Sequence, residues 1–233
     1  MTNLLKERPI LFSAPMVRAL LDGSKTQTRR LMKPQPEPVP HRPGDYQWPC
    51  NAFHSMVSVA DTRAPSAHGM AGDACPHGGH GDGLRVRETF FAYGRWVTRY
   101  SQKKGRDEWH FIDMTVECDR AYQYDAGSPD VPLAAGRGSV LPGWYKRPAI
   151  FMPRAASRIL LEIVSVRVER LQNISDGDAR AEGTPGGHGV IPSYNYHATP
   201  SEHFSHLWES INGAGSWASN PWVWVIEFKR VTP

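Results

Sequence analysis

Several groups of side chains in this sequence have the chemistry to do more than fold. The densest is Lys25-Thr26-Gln27-Thr28-Arg29-Arg30, a primary amine, two hydroxyls and two guanidiniums within six positions. A hydroxyl can attack a carbonyl or orient a water once its proton is taken, and an amine can take it only while neutral. An unperturbed lysine near pKa 10.4 is less than about 0.1% neutral at pH 7, and lowering it by about three units represents about 4 kcal/mol of differential interaction. Arg29 and Arg30 push Lys25 in that direction as like charges, and burial would push it further. Taken alone, the same residues also describe a solvated turn whose hydroxyl bonds its own backbone.

A second group is carboxylate and guanidinium. In Leu84-Arg85-Val86-Arg87-Glu88-Thr89-Phe90 the alternation puts Leu84, Val86, Glu88 and Phe90 on one face. A carboxylate on an apolar face needs a cationic partner, with Arg30 and Arg154 as candidates. Arg87 and Arg154 can contact a phosphate or base. Trp144 and Tyr145, beside Lys146 and Arg147 in a loop, can stack on bases. Cys75-Xaa-His77-Xaa-Xaa-His80, with Cys50, His54 and His68 upstream, has zinc-ligand residue types, but the spacings match no finger pattern. No metal and no cofactor is expected.

The elements that would position these groups alternate between helix and strand signals. Ser13 can cap a short helix with Pro15 in its first turn and Met16/Leu20 and Val17/Leu21 at i,i+4, stopped by Gly23. The polar run to Arg30 then turns into a strand. From Lys33 to about Gly81 the chain is rich in Pro, Gly and His, and reads as a long, loosely structured insertion. A strand is expected over Trp109 to Cys118, and loops over about 125–142 and 184–198. Arg158 to Leu171 alternates with a change of phase near Val164, which predicts a bulge. Ser175 with Asp178 and Thr199-Pro200-Ser201-Glu202 are capping boxes for two helices, the first ended by Gly183. Trp222 to Val231 is a final strand, and Trp208, Trp222 and Trp224 read as core. Short helices between strands predict an α+β domain built on a small barrel or strongly bent sheet, in a single domain over 1–233.

Bulk properties bound the function. The formal charge is +4 and the pI near 9.0, which permits a polyanionic partner without demanding one. Basic residues gather at Arg29, Arg30 and Lys33, at Arg85, Arg87 and Arg95, and at Lys146, Arg147, Arg154 and Arg158. Three cysteines in a chain without disulfide character point to a reducing, cytoplasmic setting. No apolar run approaches the roughly 20 residues that span a bilayer, so no membrane association is expected.

The segment Gly23-Ser24-Lys25-Thr26-Gln27-Thr28-Arg29-Arg30 after a short helix resembles the signature turn of ASCH domains, whose fold is PUA-like. Further stretches resemble the larger bacterial and prophage branch of that family. They are Cys75-Pro76 leading to Gly81 through Phe90, Ile150-Phe151-Met152-Pro153-Arg154, Val168-Glu169-Arg170-Leu171 through Glu182-Gly183, and Asn220-Pro221-Trp222 through Phe228. Arg85 and Ala155 stand where that branch has tryptophans, and His80 where it has proline. The resemblance implies an α+β, PUA-like small mixed β-barrel with peripheral short helices and long loop insertions.

Small bacterial ASCH proteins include an amidohydrolase that removes acetyl from N4-acetylcytidine with a Lys, a Thr three residues later and a distant Glu. Matched residue by residue, these fall on Lys25, Thr28 and Glu182, with Arg30 matching an arginine two positions beyond the Thr. The expectation is a nucleoside- or RNA-interacting protein hydrolysing an N4-acyl amide of cytidine without a metal. Arg29, Arg30, Arg87, Glu88, Arg154, Trp144 and Tyr145 would contact substrate or orient its contacts. The rivals are a non-catalytic RNA-binding module, an RNA-cleaving enzyme, and a phage accessory protein with a vestigial cleft.

Overall fold

A computed structural model describes residues 6–63, 68–139 and 141–231. The chain is α+β, mostly strand with a few short helices. Contacts divide it into two compact units, the first made of Met1–Ile10, Ala19–Arg85 and Ile159–Pro233, the second of Leu11–Arg18 and Val86–Arg158.

The first unit carries a five-stranded sheet in the order β1 (Glu7–Leu11), β6 (Gly83–Arg87), β11 (Leu160–Arg170), β12 (Trp222–Val231) and β2 (Gln27–Leu31). The path ends at β1 and β2, so among the described residues the sheet is open and no barrel closes. The long pairing of β11 with β12 slips between Ile163 and Ser165, leaving Val164 out of register and 42% exposed, which is the bulge its phase change predicts. Ile163, Val166 and Val168 face Phe228, Ile226 and Trp224 across this ladder.

The other face is covered by α4 (Asp176–Ala181) and α5 (Pro200–Asn212). There Val223 and Val225 pack with Leu171, Ile174, Ala179, Phe204 and Trp208. Both helices begin at the expected capping boxes. Ser175 and Thr199 accept from the backbone N–H of Asp178 and Glu202, whose side chains accept from the cap residues in return. A helix as short as α4 cannot hold itself together in water, so its caps and packing must do so.

The Pro/Gly/His-rich tract is more ordered than its composition predicts. It forms a sheet of β3 (Glu37–Pro38), β4 (Tyr46–Cys50) and β5 (Ser55–Ser58), then α2 (Val59–Arg63) and α3 (His68–Ala74). Tyr46 and Trp48 alternate on β4 and meet Trp222 and Trp224 edge-on, at centroid separations of 5.1 and 5.7 Å. Two buried aromatic contacts are enough to seat a strand whose apolar pattern is only two residues long.

The second unit is built on β7 (Phe90–Ser101), flanked by β8 (Arg106–Asp113), β9 (Gln123–Tyr124) and β10 (Gly143–Arg147). Phe90, Ala92, Met152 and Ala156 form its core with Phe111, Tyr122 and Tyr124 against them. Gly94 is required by the close approach of the strands, because a Cβ there would lie 2.0 Å from the Ile112 carbonyl oxygen. β8 ends five residues before the expected Cys118. The Asp113 carboxylate accepts from both the backbone and the hydroxyl of Thr115, and this local turn competes with the ladder. Among the described residues no helix is long and apolar enough to cross a membrane.

The caps give a stability prediction. Ser175→Ala and Thr199→Ala should each lower the unfolding free energy by about 1 kcal/mol. In urea the midpoint should fall with an unchanged slope. A loss below a few tenths of a kcal/mol in both variants would mean that packing alone holds the helices.

Candidate functional site

The turn that carries Lys25 is pinned on both sides. Helix α1 (Ala14–Leu21) ends just before it, the Lys25 N–H donates to the Ala19 carbonyl at 2.9 Å, and the Thr26 N–H donates to the Ala181 carbonyl at 2.8 Å. The Phe228 N–H donates to the Thr26 carbonyl at 2.9 Å, so β2 leaves the turn already docked on β12. Gly183 follows α4 at φ +88°, and a Cβ there would come within 3.0 Å of the Ala19 Cβ. A glycine therefore lets the end of α4 approach the Lys25 turn.

Lys25 and Glu182 meet where these segments converge, 2% and 4% exposed. The Lys25 Nζ donates to Glu182 Oε2 at 2.8 Å, to the Glu182 carbonyl at 2.8 Å and to the Gln27 carbonyl at 2.9 Å. An ammonium has three N–H donors and a neutral amine two, so three acceptors describe the charged form. Burial pushes the Lys25 pKa below its ordinary value. The charge and hydrogen bond of Glu182 oppose that shift, while Arg30 and Arg29 add to it. A proton can pass between Nζ and Oε2 without either side chain moving.

Arg29 joins the same carboxylate from the sheet. Its guanidinium, with a wholly buried side chain, lies 3.5 Å from Glu182, 3.2 Å from Glu169 and 3.5 Å from Asp178. Arg167 continues the network to Glu169 at 2.5 Å, to Asp178 at 3.1 Å, to Glu227, and to the Gln27 side-chain oxygen at 3.3 Å. Burial would raise the Asp178 pKa, but hydrogen bonds from Ser175 and the charge of Arg29 outweigh it and hold the carboxyl below its ordinary range. Arg29 is thus an internal tie between β2, β11 and α4, with no exposed surface to offer a substrate.

Strand alternation separates Thr28 from this network. Thr28 lies opposite Ile226 and Arg30 opposite Trp224, whereas Gln27 and Arg29 share the reverse face with the carboxylates. Thr28 is 2% exposed, and its hydroxyl makes no hydrogen bond to Lys25 or Glu182. Arg30 is half-buried and within electrostatic reach of Lys25 and Glu182. Burial pushes its pKa down and Glu182 opposes this. The structure brings Lys25, Glu182 and Arg29 into direct contact, with Thr28 and Arg30 on the adjoining strand.

The remaining candidates belong to the second unit, where most take other partners. Glu88, 2% exposed, is held by Arg158, whose Nε and terminal nitrogen donate to its two oxygens at 2.9 and 3.1 Å. The candidates named from the sequence were Arg30 and Arg154. Arg158 reads from the sequence as one of a basic group and the start of a strand, which gives no sign of Glu88. Its guanidinium also lies 3.9 Å from the centroid of the Tyr124 ring. Arg87 turns inward and donates twice to the Met152 carbonyl, at 3.1 and 3.0 Å. Tyr145 is buried edge-on against Phe111 and Trp96, and its hydroxyl donates to the Gly136 carbonyl at 2.9 Å. Trp144 is half-buried beside Tyr93, and Arg154 is exposed.

The residues of metal-ligand type do not form a centre among the described residues, and the side chain of His68 lies outside them. Cys50 and Cys75 instead line a cavity of about 230 Å³ with Arg8, Lys33, Trp48 and Trp224. Burial pushes the Cys75 thiol up to about 12, and burial with the charges of Arg30 and Arg8 pushes His77 down to about 4. Arg167, Glu169 and Asp178 are what sequence reasoning missed. For the first two the signal was an Arg and a Glu two apart on one face of β11. In comparisons with known proteins the chain matches no family model, no curated protein and no solved structure.

The Lys25–Glu182 pair predicts a pH effect of definite sign. Because the native pKa of Lys25 lies below the unfolded value of about 10.4, the native amine loses its proton first. The unfolded state then binds more protons, and this site's contribution to stability rises with pH between the two values. Removing the carboxylate by Glu182→Gln leaves a buried ammonium with Arg29 beside it and should cost about 3 kcal/mol. It should also move the Lys25 titration, read by 13Cε NMR, to lower pH. An unmoved titration would mean that Glu182 does not control the amine.

Proposed function

We propose that this chain is a nucleoside- or RNA-interacting protein of the ASCH, PUA-like type, and that it hydrolyses an N4-acyl amide of cytidine. The observation that carries the reading is the buried Lys25–Glu182 contact at 2.8 Å, formed between two residues that the family resemblance pairs across the chain. Its support is chemical. A dry amine beside a carboxylate can surrender its proton to that carboxylate, and the neutral amine is then a base that needs no metal.

In this reading the neutral Lys25 takes the proton of the Thr28 hydroxyl as the oxygen attacks the acyl carbon. Arg30 stands by as the positive group for the developing oxyanion. The carbon–nitrogen bond breaks as Lys25 returns the proton to the N4 nitrogen, which leaves as the amine of cytidine. Water, activated in the same way, then releases the acyl group from Thr28 as a carboxylate. Catalytic hydrogen bonds often tighten only in the substrate complex, which accommodates the separation of Thr28 from Lys25.

A non-catalytic RNA-binding module is the second reading, favoured by one specific observation. All three ammonium hydrogens of Lys25 are already taken by protein acceptors, as in a structural staple. Variants at Thr28 and Lys25 separate the two. With N4-acetylcytidine, Thr28→Ser should retain measurable release of cytidine and Thr28→Val should abolish it. Lys25→Arg should reduce turnover at least about 100-fold with binding little changed. Deacylation by Thr28→Val at the parent rate removes Thr28 as nucleophile. A parent protein that binds RNA and deacylates nothing carries the module reading instead.

A further inference from the structure

The hairpin of β7 and β8 reaches well past the core that should support it. β9 and β10 pair with β7 over Phe90–Gly94, and from Arg95 onward its sole partner in the ladder among the described residues is β8. Isolated two-stranded ribbons are marginal in water, and this one is anchored at its inner end, where Phe111 packs on the core and Trp96 meets Tyr145. Yet Trp96 faces Phe111, Thr98 faces Trp109 and Tyr100 faces Asp107, which places four aromatic rings on one face, stepping outward along the hairpin. The two outermost are in water, Trp109 at 46% and Tyr100 at 66% exposure.

Cations are interleaved with these rings. The Arg147 guanidinium lies 4.7 Å from the Trp96 centroid and 4.5 Å from that of Phe111, and Arg137 lies 4.6 Å from Trp96. Arg137 and Arg106 border, with Asp107, Glu108, Trp109 and His110, an open groove of about 420 Å³. The charge of the segment is equally uneven. From Arg95 to Ile112 there are five lysines and arginines against two carboxylates, a net three positive charges where the whole chain has four. One of those carboxylates, Glu108, is tied to Lys104 at 2.6 Å.

We propose that this face of the β7–β8 hairpin is a docking track for single-stranded nucleic acid. Successive bases stack on Tyr100 and Trp109, and phosphates meet Arg137 and Arg147 beside the rings and Arg106, which alternation puts on the other face of β8, at the border of the groove. The surface belongs to the second unit, and binding there does not depend on the activity of the Lys25–Glu182 pair. Exposed planar rings beside arginines suit bases, which all present a π-face, joined to a polyanion. An acidic peptide would match the charge but would leave the two outer rings without planar partners.

The test is fluorescence anisotropy with labelled oligo(U) and oligo(dT) of about twelve nucleotides, within the range of single-strand site sizes. Both outer rings are exposed, so Tyr100→Ala/Trp109→Ala should unfold at the parent urea midpoint, and it should bind at least about tenfold more weakly. Arg106→Gln/Arg137→Gln should lower the log–log salt slope by about 1.4, the value for two single-strand phosphate contacts. Binding of either oligonucleotide that both variants weaken supports the track, and the stronger arm identifies the sugar. The proposal is overturned by absence of binding to both oligonucleotides at low salt, by binding that the ring variant leaves intact, or by self-association that the ring variant abolishes in its place. Release of cytidine from free N4-acetylcytidine is measured in parallel, and its absence in the parent sinks the amidase reading alone.

Discussion

A positive charge taken out of water costs several kcal/mol unless other groups replace the water, and Lys25 is such a charge. The first unit is arranged around meeting that cost. Two acceptors of its ammonium are backbone carbonyls and the third is the Glu182 carboxylate, so the start of β2 and the end of α4 must both be in place for all three to form. Residues 157 apart in the chain are thereby brought together by one side chain. Glu182 cannot rest on Lys25 alone, having a second oxygen to satisfy, and Arg29 approaches it from β2. Arg29 in turn requires Glu169 on β11 and Asp178 on α4. Each buried charge recruits the next, and the recruitment runs through β2, β11 and α4.

Such a network is a poor source of net stability, because desolvation consumes most of what the Coulomb attraction returns. Its effect is on which arrangement is allowed. An apolar contact between α4 and the sheet would tolerate a slide of one turn. A fork from Arg29 to three carboxylates does not, since a displaced carboxylate would leave a guanidinium unpaired in a dry interior. This bears on α4 in particular, six residues long with Glu182 at its C-terminal cap, where the helix dipole disfavours a carboxylate. The cations of Lys25 and Arg29 offset that unfavourable placement, which explains how an acidic residue persists there.

What was legible in the sequence were features whose cause is local. The two capping boxes depend on residues three apart, the bulge at Val164 on a break in alternation, and the final strand on its own periodicity. The resemblance named Lys25 and Glu182, and the buried contact between them depends on a turn that local signals could outline. What was not legible depended on long-range partners. Nothing near Tyr46 and Trp48 announces that Trp222 and Trp224 will receive them, so a strand was hidden in a tract that composition describes as loop. Glu88 could be recognised as needing a cation, but the choice of Arg158 over Arg154 rests on the path of the chain between them. Arg87 and Tyr145 were legible as residue types and misleading as roles, because a backbone carbonyl and an aromatic core claim them.

The arginines make the point most directly. Arg29, Arg158 and Arg167 point their forks at carboxylates and are held in two or more directions at once, the geometry that suits a planar guanidinium in a desolvated setting. Arg137 and Arg147 lie over aromatic rings, 4.6 and 4.7 Å from the Trp96 centroid. A guanidinium in the first environment is held by carboxylates, whereas one in the second lies against aromatic rings. The difference does not lie in residue type, spacing or net charge, which is why basic clusters in the sequence could not rank these arginines. It lies in what the fold sets against the same planar ion.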